Sequence, residues 1–444
     1  MDFPEFEALE LGGAIAEGKV LSVEITRHFL SVIDSSDVGS SIYARTMPER
    51  ALAEAEASDE RTRSSQRLSP LDGVPVSWKD LFDTKDVATE SGAPLLKGRV
   101  PKRDAVLVQR ATGAGMVALG KTHQTEFAFS GLGINPKTET PPNRLMPGRV
   151  PGGSSSGAAA SLTHDMASVA IGSDTGGSVR IPAAWNSLVG LKTTHGALPS
   201  EGMVPLCSGF DTAGPLARSV SDAAAMFQVL KGVPVRSVPV PDPSELTLAI
   251  VETIAMDDIE ARQLQAFEEA VRRLEVAGVR VERIKRAQFG LVLDLGAILF
   301  PCEAWREWGE LIEANPGVMF PPVEMRFRQG ANITAEQYHS AFEELERLQS
   351  QFFLEIEAFD AVIMPTIPID PPPIDALLAD HNLFTAKNLM ALRNTRFANL
   401  FGTCALTLPT AEPAAGFQIM GKPNSEDKLL GEGLALERII AWRS

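Results

Sequence analysis

Gly152-Gly153-Ser154-Ser155-Ser156-Gly157 and, after an interval of small residues, Gly172-Ser173-Asp174-Thr175-Gly176-Gly177-Ser178-Val179-Arg180 are the stretches on which the reading of this chain turns. Between them, Ala158 to Leu162 reads as a short helix and Ser168 to Ile171 as a buried strand. Glycines ahead of a serine permit a tight turn that presents the hydroxyl. They also leave successive backbone N–H groups free to converge on one oxygen, the arrangement of an oxyanion hole. Either run alone has the composition of a flexible loop. A serine hydroxyl is moreover a poor nucleophile at neutral pH until a base takes its proton.

Histidine is the usual base, but His123, His164 and His195 have unrelated flanks and none sits in a catalytic pattern. Lysine is the other option. Gly73-Val74-Pro75-Val76-Ser77-Trp78-Lys79-Asp80 reads as a short strand that delivers Lys79 to its end. To act as a base at pH 7 a lysine must fall from ~10.4 by roughly 3 units through burial and its neighbours, which costs about 4 to 5 kcal/mol of folding free energy. The end of an apolar strand suits that demand.

With Gly73-Val74-Pro75 and Lys79-Asp80, then Gly-Gly-Ser-Ser at 152–155, then the 172–180 run, the sequence resembles the amidase-signature family. The likeness covers about residues 70–230, with weaker echoes at 359–368 and 394–430. The resemblance implies an amidohydrolase that cleaves a linear C–N bond in a carboxamide, anilide, or carbamate- or urea-like substrate through a serine acyl-enzyme. It makes Ser178 the nucleophile, Ser154 a bridging serine in a cis peptide and Lys79 the base, with an oxyanion hole from the Thr175, Gly176, Gly177 and Ser178 N–H groups. It gives Asp174 and Arg180 a structural ion pair, Ser155 a supporting hydroxyl, and Phe129-Ser130-Gly131 a substrate-facing loop. No cofactor or metal is implied, and a homodimer is compatible with the resemblance. The alternative is the amidase-like glutaminase subunit of a glutamine-dependent aminoacyl-tRNA amidotransferase, which shares the triad.

The departures from the family pattern are Trp78 before the lysine, Thr193-Thr194, and Glu412-Pro413-Ala414-Ala415-Gly416. They bear on substrate and local geometry, and Trp78 is expected to line or narrow the pocket. Two other motifs compete. Gly153 to Gly157 fits GxSxG, which would make Ser155 the nucleophile, but the matching oxyanion motif and a downstream acid–histidine pair are missing. Gly115 to Thr122 fits GxxxxGK[ST], yet the four intervening residues are an apolar strand rather than an open phosphate loop.

The bulk properties agree with a globular enzyme. Of 444 residues, 44% are hydrophobic and 22% charged, enough apolar surface for a large core. A net charge of −16 argues against nucleic acid as a partner. Four acidic and no basic residues in Met1 to Glu10 are the reverse of a secretory leader, and no uncharged run reaches membrane-spanning length, so a cytoplasmic protein is expected. Cys207, Cys302 and Cys404 are read as buried thiols, and the scattered histidines offer no metal site.

Residues 2–60 read as a helical lead-in, 106–110 as a helix, 116–119 as a strand and 216–230 as a scaffold helix. Beyond these, strand 246–252, a helix over about 258–277 and strand 279–284 continue the alternation, and 286–355 is mainly helical. Strand 359–365 follows, and 404–408 with 416–420 are read as a late pair. The predicted fold is α/β: one large domain over residues 1–444 with a central mixed sheet and helices on both faces. Its signature core is about 70–230, and about 255–355 is a variable, mainly helical substrate-side region.

Overall fold

Strands that are apolar on both faces must be covered on both, and in the computed structural model, which describes residues 7–440, several are buried at every position. The strands are β1 (Tyr43–Thr46), β2 (Pro75–Lys79), β3 (Val117–Thr122), β4 (Val169–Ser173), β5 (Val189–Lys192), β6 (Ala213–Ala217), β7 (Thr247–Glu252), β8 (Arg280–Lys285), β9 (Ala361–Pro365), β10 (Ala405–Pro409) and β11 (Gly416–Met420). They form one mixed sheet in the order β1-β3-β2-β4-β6-β5-β10-β11-β9-β7-β8. Helices cover both faces, giving the single-domain α/β architecture expected.

The register around β2 positions the chemistry. β2 runs parallel to both β3 and β4, and Trp78 pairs with Ile171. Lys79 and Ser173 therefore both emerge at the carboxyl ends of adjacent parallel strands, the end where ligands bind in open α/β sheets. Adjacent strand residues point to opposite faces, which separates Trp78 from Lys79. At the far side of the sheet, the helix Ala261–Val276 buries Ala266, Phe267, Ala270, Val271 and Leu274 at helical spacing, with Phe267 stacked on Phe417 of β11 at 5.3 Å.

Most expected elements are present, including the antiparallel β10–β11 pair, and all three thiols are buried. Three strands depart from expectation. β1 interrupts the helical lead-in, whose residues 2–6 lie outside the described residues. β6 carries Gly214 and Pro215, residues that argue against a strand interior, and the helix after it begins only at Val220. β5 is four residues long, too short for its periodicity to register.

The segment 286–355 is helical as expected, with Val292–Glu313, Pro321–Arg328 and Ala335–Glu355 as its main helices. The stretch Ala287–Glu313 is long and apolar enough to cross a bilayer. Here it packs within the fold, with Leu299, Phe300, Ala304 and Ile312 buried.

Gly214 supports the sheet by its lack of a side chain, since a Cβ there would lie 1.8 Å from the Leu191 carbonyl oxygen. Gly214→Ala is expected to cost about 1–3 kcal/mol through overpacking, read as a lower urea midpoint with an unchanged m-value.

Candidate active site

Lys79 is fully buried at the end of β2. Its Nζ lies 2.6 Å from Ser154 Oγ and 2.9 Å from Ser173 Oγ. Burial pulls the ammonium down to about 7, against the opposing pull of Asp174 and Asp211. Neither carboxylate bonds the amine directly, and its two recorded partners are neutral hydroxyls. Ser154 follows a cis Gly153–Ser154 peptide bond, the geometry expected of it. The Ser155 N–H donates to the Ser178 carbonyl at 3.2 Å, tying the two glycine–serine loops together.

The loop bearing Ser178 is built around Asp174. Burial alone would push this carboxyl up, but the Arg180 guanidinium outweighs it and holds the carboxyl well below the usual carboxylate range. Arg180 donates from Nε and Nη2 at 3.0 and 2.9 Å, with both side chains fully buried. The remaining guanidinium protons go to the Thr395 carbonyl, Gln418 and Asn399. On its other side, Asp174 accepts from the Gly177 and Val179 N–H groups at 2.8 and 3.2 Å, bending the chain into the turn that carries Ser178. Gly177 adopts φ 134°, and a Cβ there would stand 2.1 Å from Thr395 Oγ1, so only glycine fits.

Of the four N–H groups expected to hold an oxyanion, that of Gly177 is therefore committed to Asp174. Those of Thr175, Gly176 and Ser178 meet no acceptor among the described residues. The Thr175 hydroxyl donates to Asp211 at 2.5 Å. Burial pushes Asp211 up to about 6, although the Thr175 hydroxyl and the Leu206 and Cys207 N–H groups oppose it. The Ser155 Oγ is 3.3 Å from both the backbone oxygen and nitrogen of Ser173.

Ser178, Thr175 and Gly176 open onto a narrow cavity whose other walls include Phe129, Ser130, Phe300, Leu392, Arg326 and Arg396. Phe129 and Ser130, from the loop singled out in the sequence, form part of this wall. Gly131 stands just behind, its N–H held by Asn388 at 2.8 Å. Trp78 lies in the core with its ring edge-on to Phe82 at 5.4 Å and is absent from the cavity wall. Lys121, the lysine of the phosphate-loop pattern, is a buried β3 residue donating to the Phe82 carbonyl and Thr89.

Sequence reasoning left Ser173 and Asp211 without roles and missed Asn388, Thr395, Asn399, Arg326 and Arg396. Ser173 was visible inside the quoted motif. Asp211 comes from the loop before β6 and the rest from distant helices with ordinary local patterns, so only the fold brings them to the site.

A glycine turn that presents a serine hydroxyl beside a buried lysine whose partners are neutral hydroxyls has the parts that acyl transfer requires. The amidase family model matches residues 24–430, and the chain belongs to that family. It is 36% identical to 2-amino-5-chloromuconic acid deaminase of Comamonas testosteroni over 88% of this chain and 87% of that one. It is 30% identical to a glutamyl-tRNA(Gln) amidotransferase subunit of Streptomyces avermitilis, covering 97% of this chain and 94% of the relative. The native peptide amidase of Stenotrophomonas maltophilia superposes with a TM-score of 0.82 at 27% identity, across 100% of this chain and 98% of that structure. The chain is an amidohydrolase acting on C–N bonds.

Asp174→Asn preserves shape but leaves the buried Arg180 charge uncompensated. The expected loss is about 3–5 kcal/mol of stability, together with collapse of activity, measured by denaturant unfolding and by turnover of any accepted amide.

Proposed function

We propose that this chain is a self-sufficient hydrolase of small linear amides in which Ser178, Ser154 and Lys79 form the catalytic triad. The observation that carries the reading is the 2.6 Å approach of Lys79 Nζ to Ser154 Oγ in a site where burial brings the amine to about 7. In the neutral state, Lys79 accepts the Ser154 proton as Ser154 accepts that of Ser178, and Ser178 Oγ adds to the amide carbon. The free N–H groups of the Thr175–Ser178 turn hold the oxyanion. Collapse breaks the C–N bond while the proton returns from Lys79 through Ser154 to the leaving nitrogen. Water then adds to the acyl-enzyme by the same relay, releasing the carboxylic acid and restoring Ser178.

The similarity to an amidotransferase component supports a second reading, in which the chain serves as a glutaminase inside a complex. Partner-free turnover of small amides without ATP separates the two, because a component of that kind needs its companions. Cytoplasmic residence accords with either reading, and a homodimer with the first.

Two outcomes are expected. A fluorophosphonate adds one adduct mass to the wild-type protein and none to folded Ser178→Ala, whereas full activity of that variant would refute the triad. Because the neutral amine is the base, kcat/KM rises with pH through about 7 and levels above it. Lys79→Ala removes that limb along with most of the rate, while a flat profile from about pH 5.5 to about 8.5 in the wild type excludes a neutral-lysine base.

A further inference from the structure

Two arginines in the cavity wall have no role in the chemistry above. Arg396, on the helix Thr395–Leu400, and Arg326, on the helix Pro321–Arg328, are 8% and 9% exposed. Arg326 donates from Nη1 to the Phe129 carbonyl and lies 4.1 Å over the Phe129 ring. Arg396 has less: its carbon centre stands 5.7 Å over Phe300, and its Nε is buried without a hydrogen-bond partner. Among the described residues neither guanidinium forms an ion pair, although the chain has an excess of acidic groups and forms many such pairs elsewhere.

Buried charges are normally paired, because removing an isolated ion from water is costly. Burial lowers both groups, to about 10 for Arg396 and to about 9 for Arg326, which also feels the repulsion of Arg396. Both therefore remain cations at neutral pH, two like charges facing one small space. Arg396 Nε would be 3.8 Å from a Cβ built on Gly176, so this cation abuts the turn that carries Ser178. No carboxylate lines the cavity.

We infer that the missing counter-ion is a carboxylate of the substrate: the enzyme takes short amides that bear a carboxylate, clamped by Arg396 with help from Arg326, and that lack an ammonium group. Guanidinium forks match carboxylates in geometry as well as charge. The cavity beside Ser178 is narrow, with both arginines and the Ser178 turn in one wall lining, which limits the carboxylate and the scissile carbonyl to a short separation. With no acidic side chain in the wall, an α-ammonium such as that of glutamine would meet two cations and no partner. The inference rests on the triad reading above, whose acyl carbon must sit at Ser178.

The test uses glutaramate, its neutral analogue glutaramide and its ammonium-bearing analogue glutamine as substrates. Glutarate serves as a non-reacting probe against fluorophosphonate labelling of Ser178. Wild type is expected to prefer glutaramate over both analogues by roughly 10- to 100-fold in kcat/KM, the worth of a charge-assisted hydrogen bond. Glutarate should slow labelling far more than glutaramide does, and Arg396→Gln should bring both ratios towards one. Arg396→Lys, which keeps the charge and loses the fork, should fall between. If Arg396→Gln fails to fold, the wild-type protection series decides.

Normal labelling with equal protection by glutarate and glutaramide overturns the carboxylate site and leaves the triad intact. Preference for glutaramide or glutamine over glutaramate overturns it as well. Absence of labelling in folded wild type instead defeats the triad reading, and a glutarate-dependent rise in Tm that Arg396→Gln abolishes would then still establish the anion site on its own.

Discussion

The desolvation of Lys79 is the constraint around which the rest of the site is arranged. An amine at the end of a central strand is useful as a base only where water is excluded and no carboxylate bonds it, because a direct ion pair would restore its charge. The fold meets both conditions. Its neighbours are two serine hydroxyls, and the closest acidic machinery is otherwise engaged: Asp174 by Arg180 and Asn399, Asp211 by the Thr175 hydroxyl and two backbone N–H groups. Each carboxylate is thereby given work in shaping the oxyanion turn.

That arrangement makes Asp174–Arg180 more than a stabilising pair. A buried ion pair by itself contributes little net stability, since desolvation offsets attraction. Here the carboxylate also fixes Gly177 and Val179, and the guanidinium reaches the Thr395 carbonyl, Asn399 and Gln418. One fully satisfied network therefore joins the Ser178 turn to the helix Thr395–Leu400 and to β11, and sets the helix that presents Arg396 against the same turn.

The cluster of Lys79, Ser154 and Ser178 was legible because its signals are local in sequence. Glycine–serine runs and a strand-end lysine are constrained by turn geometry and burial within a few residues of one another, so their letters carry the chemistry directly. Parallel strands of fully apolar residues were legible for the same reason. β6 was not, because Gly214 and Pro215 oppose strand formation locally and only pairing with β4 and β5 overrides them. Trp78 looked like a pocket residue because it adjoins Lys79, but strand alternation turns its ring to the other face. Arg326 and Arg396 belong to helices with ordinary charge patterning, and nothing within a helical window distinguishes a salt-bridging surface arginine from one turned into a cavity.

Chemistry and substrate choice are thereby carried by different parts of the molecule. Lys79 stands at the end of β2, Ser178 in the loop after β4, and Ser154 in the segment between β3 and β4, where sheet register fixes the strand ends. Most of the opposite wall comes from the helices Val292–Glu313, Pro321–Arg328, His381–Arg393 and Thr395–Leu400 through Phe300, Arg326, Leu392 and Arg396. Substitution there alters which acyl group reaches Ser178 without disturbing strand pairing. The similar proteins carry names as different as 2-amino-5-chloromuconic acid deaminase, glutamyl-tRNA(Gln) amidotransferase subunit and peptide amidase. In this chain the helical wall places two guanidinium groups, those of Arg326 and Arg396, across the cavity from the Ser178 turn.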